Sequence, residues 1–297
     1  MNIVAIDIGG TYIKTGLLTI NGERLQLEKL NMPREDYRLV IPQLISHIEK
    51  YYANQFQGIG ISSTGLVDPI SQEIGMMSPL YEGFGKTLVK NLRDCFGVPV
   101  TVENDGNCAL LAEKWIGKGQ ACTNLVMIVL GTSVGGALMI NDQLVKGSHL
   151  MAGELGYMLF PTKEKPWEIW SIAGSTKTLV TQVSNQKGKI LDGYEVIELY
   201  HQQDAQTQRH VAAFIEKLAV GCYNLQYILD PEKILIGGGI SHNAFLLPAL
   251  RQKIQEISGE IPSNIRIPSV EMCQFGNESN LIGACYYWLT QQKKQEG

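Results

Sequence analysis

Two glycine turns follow apolar runs in the same manner: Ile3-Val-Ala-Ile-Asp7-Ile-Gly9-Gly10-Thr11, and Val126-Met-Ile-Val-Leu-Gly131-Thr132-Ser133-Val134-Gly135-Gly136. Backbone N–H groups converge on an anion only where φ is unrestricted and no Cβ blocks the approach, so both turns read as phosphate grips. Asp7 closes the first run, and its carboxylate there can orient Mg²⁺ through the ion's waters or phosphate ligands. An Asp in this place can instead cap the turn by accepting backbone N–H bonds. The recurrence of the turn in a matching context favours the first reading and suggests one nucleotide gripped from two lobes.

Glu103-Asn104-Asp105-Gly106-Asn107 sits where an apolar strand passes into a helix, the end of a strand at which α/β proteins place their sites. Asp105 can accept a hydroxyl proton as general base, and Asn104 can both donate to and accept from a polyol. The same residue types are also favoured as helix caps. Glu154, between Gly153 and Gly156, can accept two hydroxyl bonds from a vicinal diol; its plainer reading is a solvated charge. His149 has no Cys or second His within ligand spacing and cannot build a closed zinc site. Trp167 and Trp170 offer aromatic faces to a sugar ring, with packing the better expectation for at least one. Gly237-Gly238-Gly239 lets backbone lie flat against a nucleoside, or simply precedes a helix capped by Ser241 or Asn243.

Strands and helices must position these groups. Asn2–Ile8, Tyr12–Ile20 and a third strand to about Leu30 read as an antiparallel meander with an Asn21-Gly22 turn. A helix from Asp36 to about Ala53, a strand at 58–61 ending in Ser62-Ser-Thr-Gly65, a helix at 86–96, a strand at 98–102 and a helix at 106–115 follow. A second meander spans 124–145 and repeats the first, Ile-Asn step included. Residues 146–170 read as an irregular insert, followed by helices near 175–183, 194–201 and 206–229. A strand at 233–236 and helices at 242–257 and 278–291 complete the chain.

The chain has 297 residues, 44% of them hydrophobic, enough for two cores, and its net charge of −4 gives no general attraction to nucleic acid or an anionic membrane. No run of about 18 apolar residues suggests a membrane span, and Met1 leads straight into a strand, so the cytoplasm is the expected location. Six scattered cysteines without a Cys-x-x-Cys pair read as buried free thiols.

Asp7-Ile-Gly-Gly-Thr11, Glu103-Asn-Asp-Gly-Asn-Cys-Ala-Leu-Leu-Ala-Glu113, Leu130-Gly-Thr-Ser-Val-Gly-Gly136, Ala152-Gly-Glu-Leu-Gly156 and Ile236-Gly-Gly-Gly239 together resemble, in order and over nearly the whole chain, the ROK family of sugar kinases. The resemblance implies an α/β, two-lobed ribonuclease-H/actin-like fold of the hexokinase type with duplicated lobes: 1–116 plus a C-terminal helix at about 280–297, and 117–279. It implies Asp105 as the base for a sugar 6-hydroxyl attacking the γ-phosphate of ATP. Gly65, Asn104, Asp105, Glu154 and Tyr157 would hold the sugar. Asp7, Gly9, Gly10 and Thr11 would line the phosphates, with Mg²⁺ at Asp7, and Gly131, Thr132, Gly135, Gly238 and Gly239 would complete the nucleotide site. Homodimers are common in the family.

Three departures matter. Ser133 stands where the second turn usually has Gly, Tyr157 replaces a His that contacts sugar and zinc, and the following cysteine cluster is absent, so no structural zinc is expected. A second sugar-binding Glu has no assigned counterpart; Glu168 is the nearest. The zinc-less Ala-Gly-Glu-x-Gly-Tyr-Met form and Ala112-Glu-Lys-Trp-Ile-Gly-Lys-Gly-Gln120 look most like the β-glucoside kinases of the family, with Tyr157 or Trp170 stacking on an aglycone. Glucokinase and N-acetylmannosamine kinase share the same motifs. A sugar-binding regulator needs a helix-turn-helix, for which a first strand beginning at Asn2 leaves no room.

Overall fold

The computed structural model describes residues 1–75, 81–162, 165–261 and 266–296. Its chain divides into two compact units: Met1–Gln120 with Gly147–Met151 and Asn277–Gly297, and Ala121–Lys146 with Ala152–Gly276.

In the first unit β1 (Asn2–Ile8), β2 (Tyr12–Thr19) and β3 (Arg24–Asn31) form the meander. Helix α1 (Val40–Tyr52) leads into β4 (Ile59–Ser63), and α2 (Leu88–Phe96) into β5 (Val100–Asn104) and α3 (Asp105–Ile116). The sheet order is β3-β2-β1-β4-β5, with β4 and β5 parallel to β1. β1 and β4 are buried almost throughout because helices cover parallel strands on both faces, whereas the edge strand β3 is nowhere fully buried. The helix expected from Asp36 begins as a 3-10 turn at Tyr37–Leu39, because the Asp36 carboxylate accepts the Arg38 N–H at 3.0 Å two residues on. The C-terminal helix, Ser279–Glu296, packs on α3 so closely that a Cβ at Gly283 would strike the Cys108 backbone.

The second unit repeats the plan with β6 (Leu125–Leu130), β7 (Val134–Ile140) and β8 (Gln143–Leu144). The expected irregular insert contains a 3-10 turn at Leu155–Tyr157 and a short hairpin, β9 (Leu159–Phe160) and β10 (Glu168–Ile169). Helices α4 (Trp170–Gly174), α5 (Thr176–Lys187), α6 (Gly193–His201) and α7 (Ala205–Leu229) precede β11 (Lys233–Gly237). Helix α8 (Leu246–Gly259) then leads to β12 (Val270–Met272), a strand that the sequence reading did not contain. The order β12-β11-β6-β7-β8 has the same parallel and antiparallel pairings as the first sheet. This is the duplicated ribonuclease-H/actin-like arrangement, and each copy has its own apolar core, one around Ile6, Leu44 and Ile61, the other around Ile128, Trp170 and Ile236.

The cysteines need a correction. Cys108, Cys122, Cys222 and Cys285 are buried free thiols, but Cys95 is exposed near the end of α2 and Cys273 half-buried. Burial pushes the Cys222 and Cys285 thiols up to about 12, which makes them poor nucleophiles. Among the described residues no helix is long and apolar enough to cross a membrane.

Candidate functional site

The strand register of the first unit sets out its polar groups. Asp7 pairs with Ser62 and Ser62 with Glu103; one residue on, Ile8 pairs with Ser63 and Ser63 with Asn104. These rows lie at the carboxyl ends of three parallel strands, where the helix dipoles and open loops of an α/β sheet converge. Asn104 is the N-cap of α3: its Oδ1 accepts the Asn107 N–H at 3.2 Å while its Nδ2 donates to the Gly65 carbonyl at 3.1 Å. Gly65 takes φ of +95°, a conformation that side chains rarely adopt. Asp105 occupies the first helical position, half-buried, with Oδ1 accepting the Gly106 N–H at 2.9 Å. The cap and the candidate base are therefore adjacent residues with separate tasks. The fully buried Glu103 orients both neighbours, accepting the Asn104 N–H at 2.7 Å and Asn107 Nδ2 at 3.0 Å.

Asp7 does not cap its turn in the way the alternative reading supposed. Its Oδ1 accepts Ser62 Oγ at 3.1 Å and Asn280 Nδ2 at 3.0 Å, and Lys14 Nζ stands 3.4 Å from Oδ2. In the turn itself the Gly9 N–H is used to close the loop on the Tyr12 carbonyl, and Gly10 and Thr11 are exposed. Arg34 braces them, donating from Nε to the Gly10 carbonyl at 2.7 Å and from a terminal nitrogen to Thr11 Oγ1 at 2.5 Å. Sequence reasoning missed Lys14, Arg34, Glu103, Asn107 and Asn280. For Lys14 a signal existed: seven residues after Asp7 across a tight meander, it falls directly opposite Asp7 in the antiparallel register.

In the second unit, Gly153 adopts φ of +89° and lies on β7, where a Cβ at Gly136 would collide with the Gly153 carbonyl. Gly156 is held as tightly, against Val134 and Ser171 Oγ. Glu154 is thereby fixed half-buried, and loss of water raises its carboxyl above the usual range. Tyr157 is 58% exposed and free to meet a ligand, whereas Trp170 is fully buried against Phe160, with ring centroids 5.0 Å apart. Stacking of Trp170 on an aglycone is therefore excluded; Trp167, 66% exposed, is the accessible indole of the pair. Glu168 is tied to Lys165 at 2.7 Å.

The same unit contains a cavity of about 430 Å³ whose lining includes Gly131, Thr132 and Gly239 with the starts of α5 and α6. Gly238, at φ of +95°, presses on the Leu130 backbone and allows Gly239 to approach the glycine turn. Gly135 lies instead within β7, paired with Val129, and does not line the cavity. The Gly131 N–H closes its own turn on the Ser133 carbonyl at 3.0 Å, as Gly9 does in the first unit. The helix caps suggested after Gly239 are not formed: Ser241 Oγ donates to the Gly238 carbonyl and Asn243 Nδ2 to the Ile240 carbonyl, each closing a 3-10 turn. Among the described residues no group of three His, Cys, Asp or Glu side chains is placed to hold a metal.

Each unit thus supplies one glycine turn, and each adds carboxylates or a cavity suited to a phosphorylated, hydroxyl-rich ligand. Known proteins share this plan over the whole length. A β-glucoside kinase of Listeria monocytogenes is 32% identical, with all of both chains covered, and one of Klebsiella pneumoniae 33% identical, over 97% of this chain and 96% of its own. The crystal structure of a ROK family protein from Streptococcus pneumoniae in complex with sucrose superimposes with a TM-score of 0.89 at 30% identity, covering 99% of this chain and 100% of that one. The ROK family model matches residues 3–291, and with these motifs in their places the chain belongs to the ROK family.

Proposed function

We propose that this carbohydrate kinase transfers the γ-phosphate of ATP to the 6-hydroxyl of a glucose unit in β-glucosides such as cellobiose. The observation that carries the sugar class is Tyr157, an exposed aromatic directly after the Glu154 segment, able to receive an aglycone. The similarity to β-glucoside kinases at 32–33% identity supports the same reading.

Asp105 takes the proton of the 6-hydroxyl as its oxygen attacks the γ-phosphorus; the bond to the β-phosphate oxygen breaks and ADP leaves with that electron pair. Asn104 and the Gly65 loop, already joined by a hydrogen bond, hold the sugar beside this base, and Glu154 accepts further hydroxyls. Gly10, Thr11, Thr132 and Gly239 hold the nucleotide, with Lys14 and Arg34 adding positive charge. Such positioning and neutralisation is most of what phosphoryl transfer asks of a protein. At Asp7, one carboxylate oxygen is occupied by two neutral donors and the other is reached only by Lys14 at 3.4 Å among the described residues, which fits Mg²⁺ held through water or phosphate oxygens. When bound, the ion offsets charge on the phosphates. No structural zinc enters this scheme.

The test is a substrate panel of cellobiose, gentiobiose, glucose, mannose, N-acetylmannosamine and N-acetylglucosamine with the wild type and Asp105→Asn. Disaccharide turnover that falls by roughly 10²-fold or more in the variant is expected, in line with loss of a general base. Turnover of monosaccharides alone replaces the β-glucoside reading with a hexokinase one. An unimpaired Asp105→Asn removes Asp105 from the role of base.

A further inference from the structure

The C-terminal helix lies directly on the sheet of the first unit. A Cβ at Gly60 would strike the Ala284 backbone, and Trp288 Nε1 donates to the Pro99 carbonyl at 2.9 Å, just before β5 begins. Tyr287 is thereby anchored beside β5, and its hydroxyl meets the side chains of Glu103 and Gln72. Both the tyrosine and the glutamate are buried. Burial, and then the Glu103 charge, lift the phenol well above its usual range, so it keeps its proton and can donate to the carboxylate. Gln72 is fixed in turn: at φ of +56°, its Oε1 accepts the Val102 N–H at 3.0 Å.

Glu103 passes this placement on. Its Oε1 accepts both the Asn104 N–H and Asn107 Nδ2, while the Asn107 N–H closes on Asn104 Oδ1. Asp105 lies between the two asparagines, so one carboxylate oxygen grips both ends of the turn that carries the candidate base. The Cys108 thiol, raised by burial and then by the charges of Glu103, Asp7 and Asp105, places the three carboxylates around one buried point. Burying a carboxylate is costly, and a well-packed apolar residue would fill this space at less expense. What an apolar residue cannot do is accept from both asparagines.

We propose that Glu103 and Tyr287 are a pair of positioning residues for phosphoryl transfer: the phenol on the C-terminal helix holds the Glu103 carboxylate, and the carboxylate holds the Asn104–Asp105 junction in its reactive place. This rests on the kinase reading and adds to it two buried residues that the substrates do not reach. The leverage is large, because a displacement of about 1 Å at a reacting group can cost roughly 10²-fold in rate.

A double-mutant cycle on kcat tests it, with ATP and the sugar turned over fastest, in the wild type, Glu103→Met, Glu103→Gln, Tyr287→Phe and the double variant Glu103→Met with Tyr287→Phe. Glu103→Met is expected to lower kcat about tenfold or more and to raise the KM for sugar, since Asn104 shifts with Asp105, while the KM for ATP stays unchanged. Glu103→Gln keeps the Oε1 acceptor and recovers most of kcat. Tyr287→Phe lowers kcat about three- to tenfold by itself, the usual effect of one lost hydrogen bond, and not at all in the Glu103→Met background. Equal factors for Tyr287→Phe in both backgrounds, or wild-type kcat in Glu103→Met or in Tyr287→Phe, overturn the proposal while the kinase reading stands. If Glu103→Met does not fold, Tyr287→Phe decides: a fall in kcat with the KM for ATP unchanged supports the pair, and a wild-type kcat overturns it. A wild type that phosphorylates no sugar overturns both readings.

Discussion

Glu154 is the proposed sugar contact whose proton affinity burial raises, and this has a measurable consequence. An ionised carboxylate accepts two hydroxyl hydrogen bonds, and a protonated one accepts less well and must donate. Because desolvation lifts the carboxyl above the ordinary glutamate value of 4.5, protonation sets in at a higher pH than for an exposed Glu. The KM for sugar is expected to rise as pH falls from neutral toward that range, with the KM for ATP steady; Glu154→Gln should bind sugar weakly at every pH and lose the slope. A flat KM in the wild type would assign the hydroxyl contacts to other residues. Asp105, Asn104 and Glu154 were legible in the sequence because their surroundings are local: a strand end, a helix start and two flanking glycines. Arg34 and Asn280 were not, since Asn280 meets Asp7 across 273 positions and Arg34 meets Gly10 through a loop whose path no local pattern gives.

At the scale of elements, long apolar runs such as β1 and β6 and the 25-residue α7 were legible because burial on two faces, or one apolar stripe, imposes its period on many residues. β12, at three residues, and the two-residue strands β9 and β10 carry too little pattern to be read. What the pattern also hides is how near two helices come. Gly283 on the C-terminal helix meets α3 at the Cys108 backbone, one residue ahead of the buried Ala284 and Cys285 and behind Leu281 and Ile282. Backbone cannot yield as a flexible side chain would, so Gly283→Ala must push the helices apart. This is expected to cost about 1–3 kcal/mol, the usual range for overpacking, read as a shift in the denaturant midpoint. Because Asn280 on the same helix donates to Asp7, activity should fall beyond what stability alone accounts for. A midpoint equal to the wild type's would mean that the two helices separate without cost.

For the whole molecule, the relevant fact is that each unit has its own core and its own glycine turn, while the chain passes from the first unit to the second, returns briefly to the first at Gly147–Met151, and ends in the first from Asn277 on. The first unit therefore cannot be completed until the C-terminal helix is made, since Leu281, Ile282 and Trp288 are buried in it. The second unit contains the entire 430 Å³ cavity in its own chain. The part of the nucleotide held by Thr132 and Gly239 should accordingly leave its signature in this unit. In hydrogen exchange, ADP alone is expected to protect amides at Gly131–Ser133, the first turn of α5 and Gly239–Ile240, by mass action on local opening. The Asn104–Asn107 junction should respond to sugar instead. If ADP protects that junction as strongly as its own cavity, the free energy of nucleotide binding is shared by both units. Kinase activity would then depend on their coupling as well as on the residues of either site.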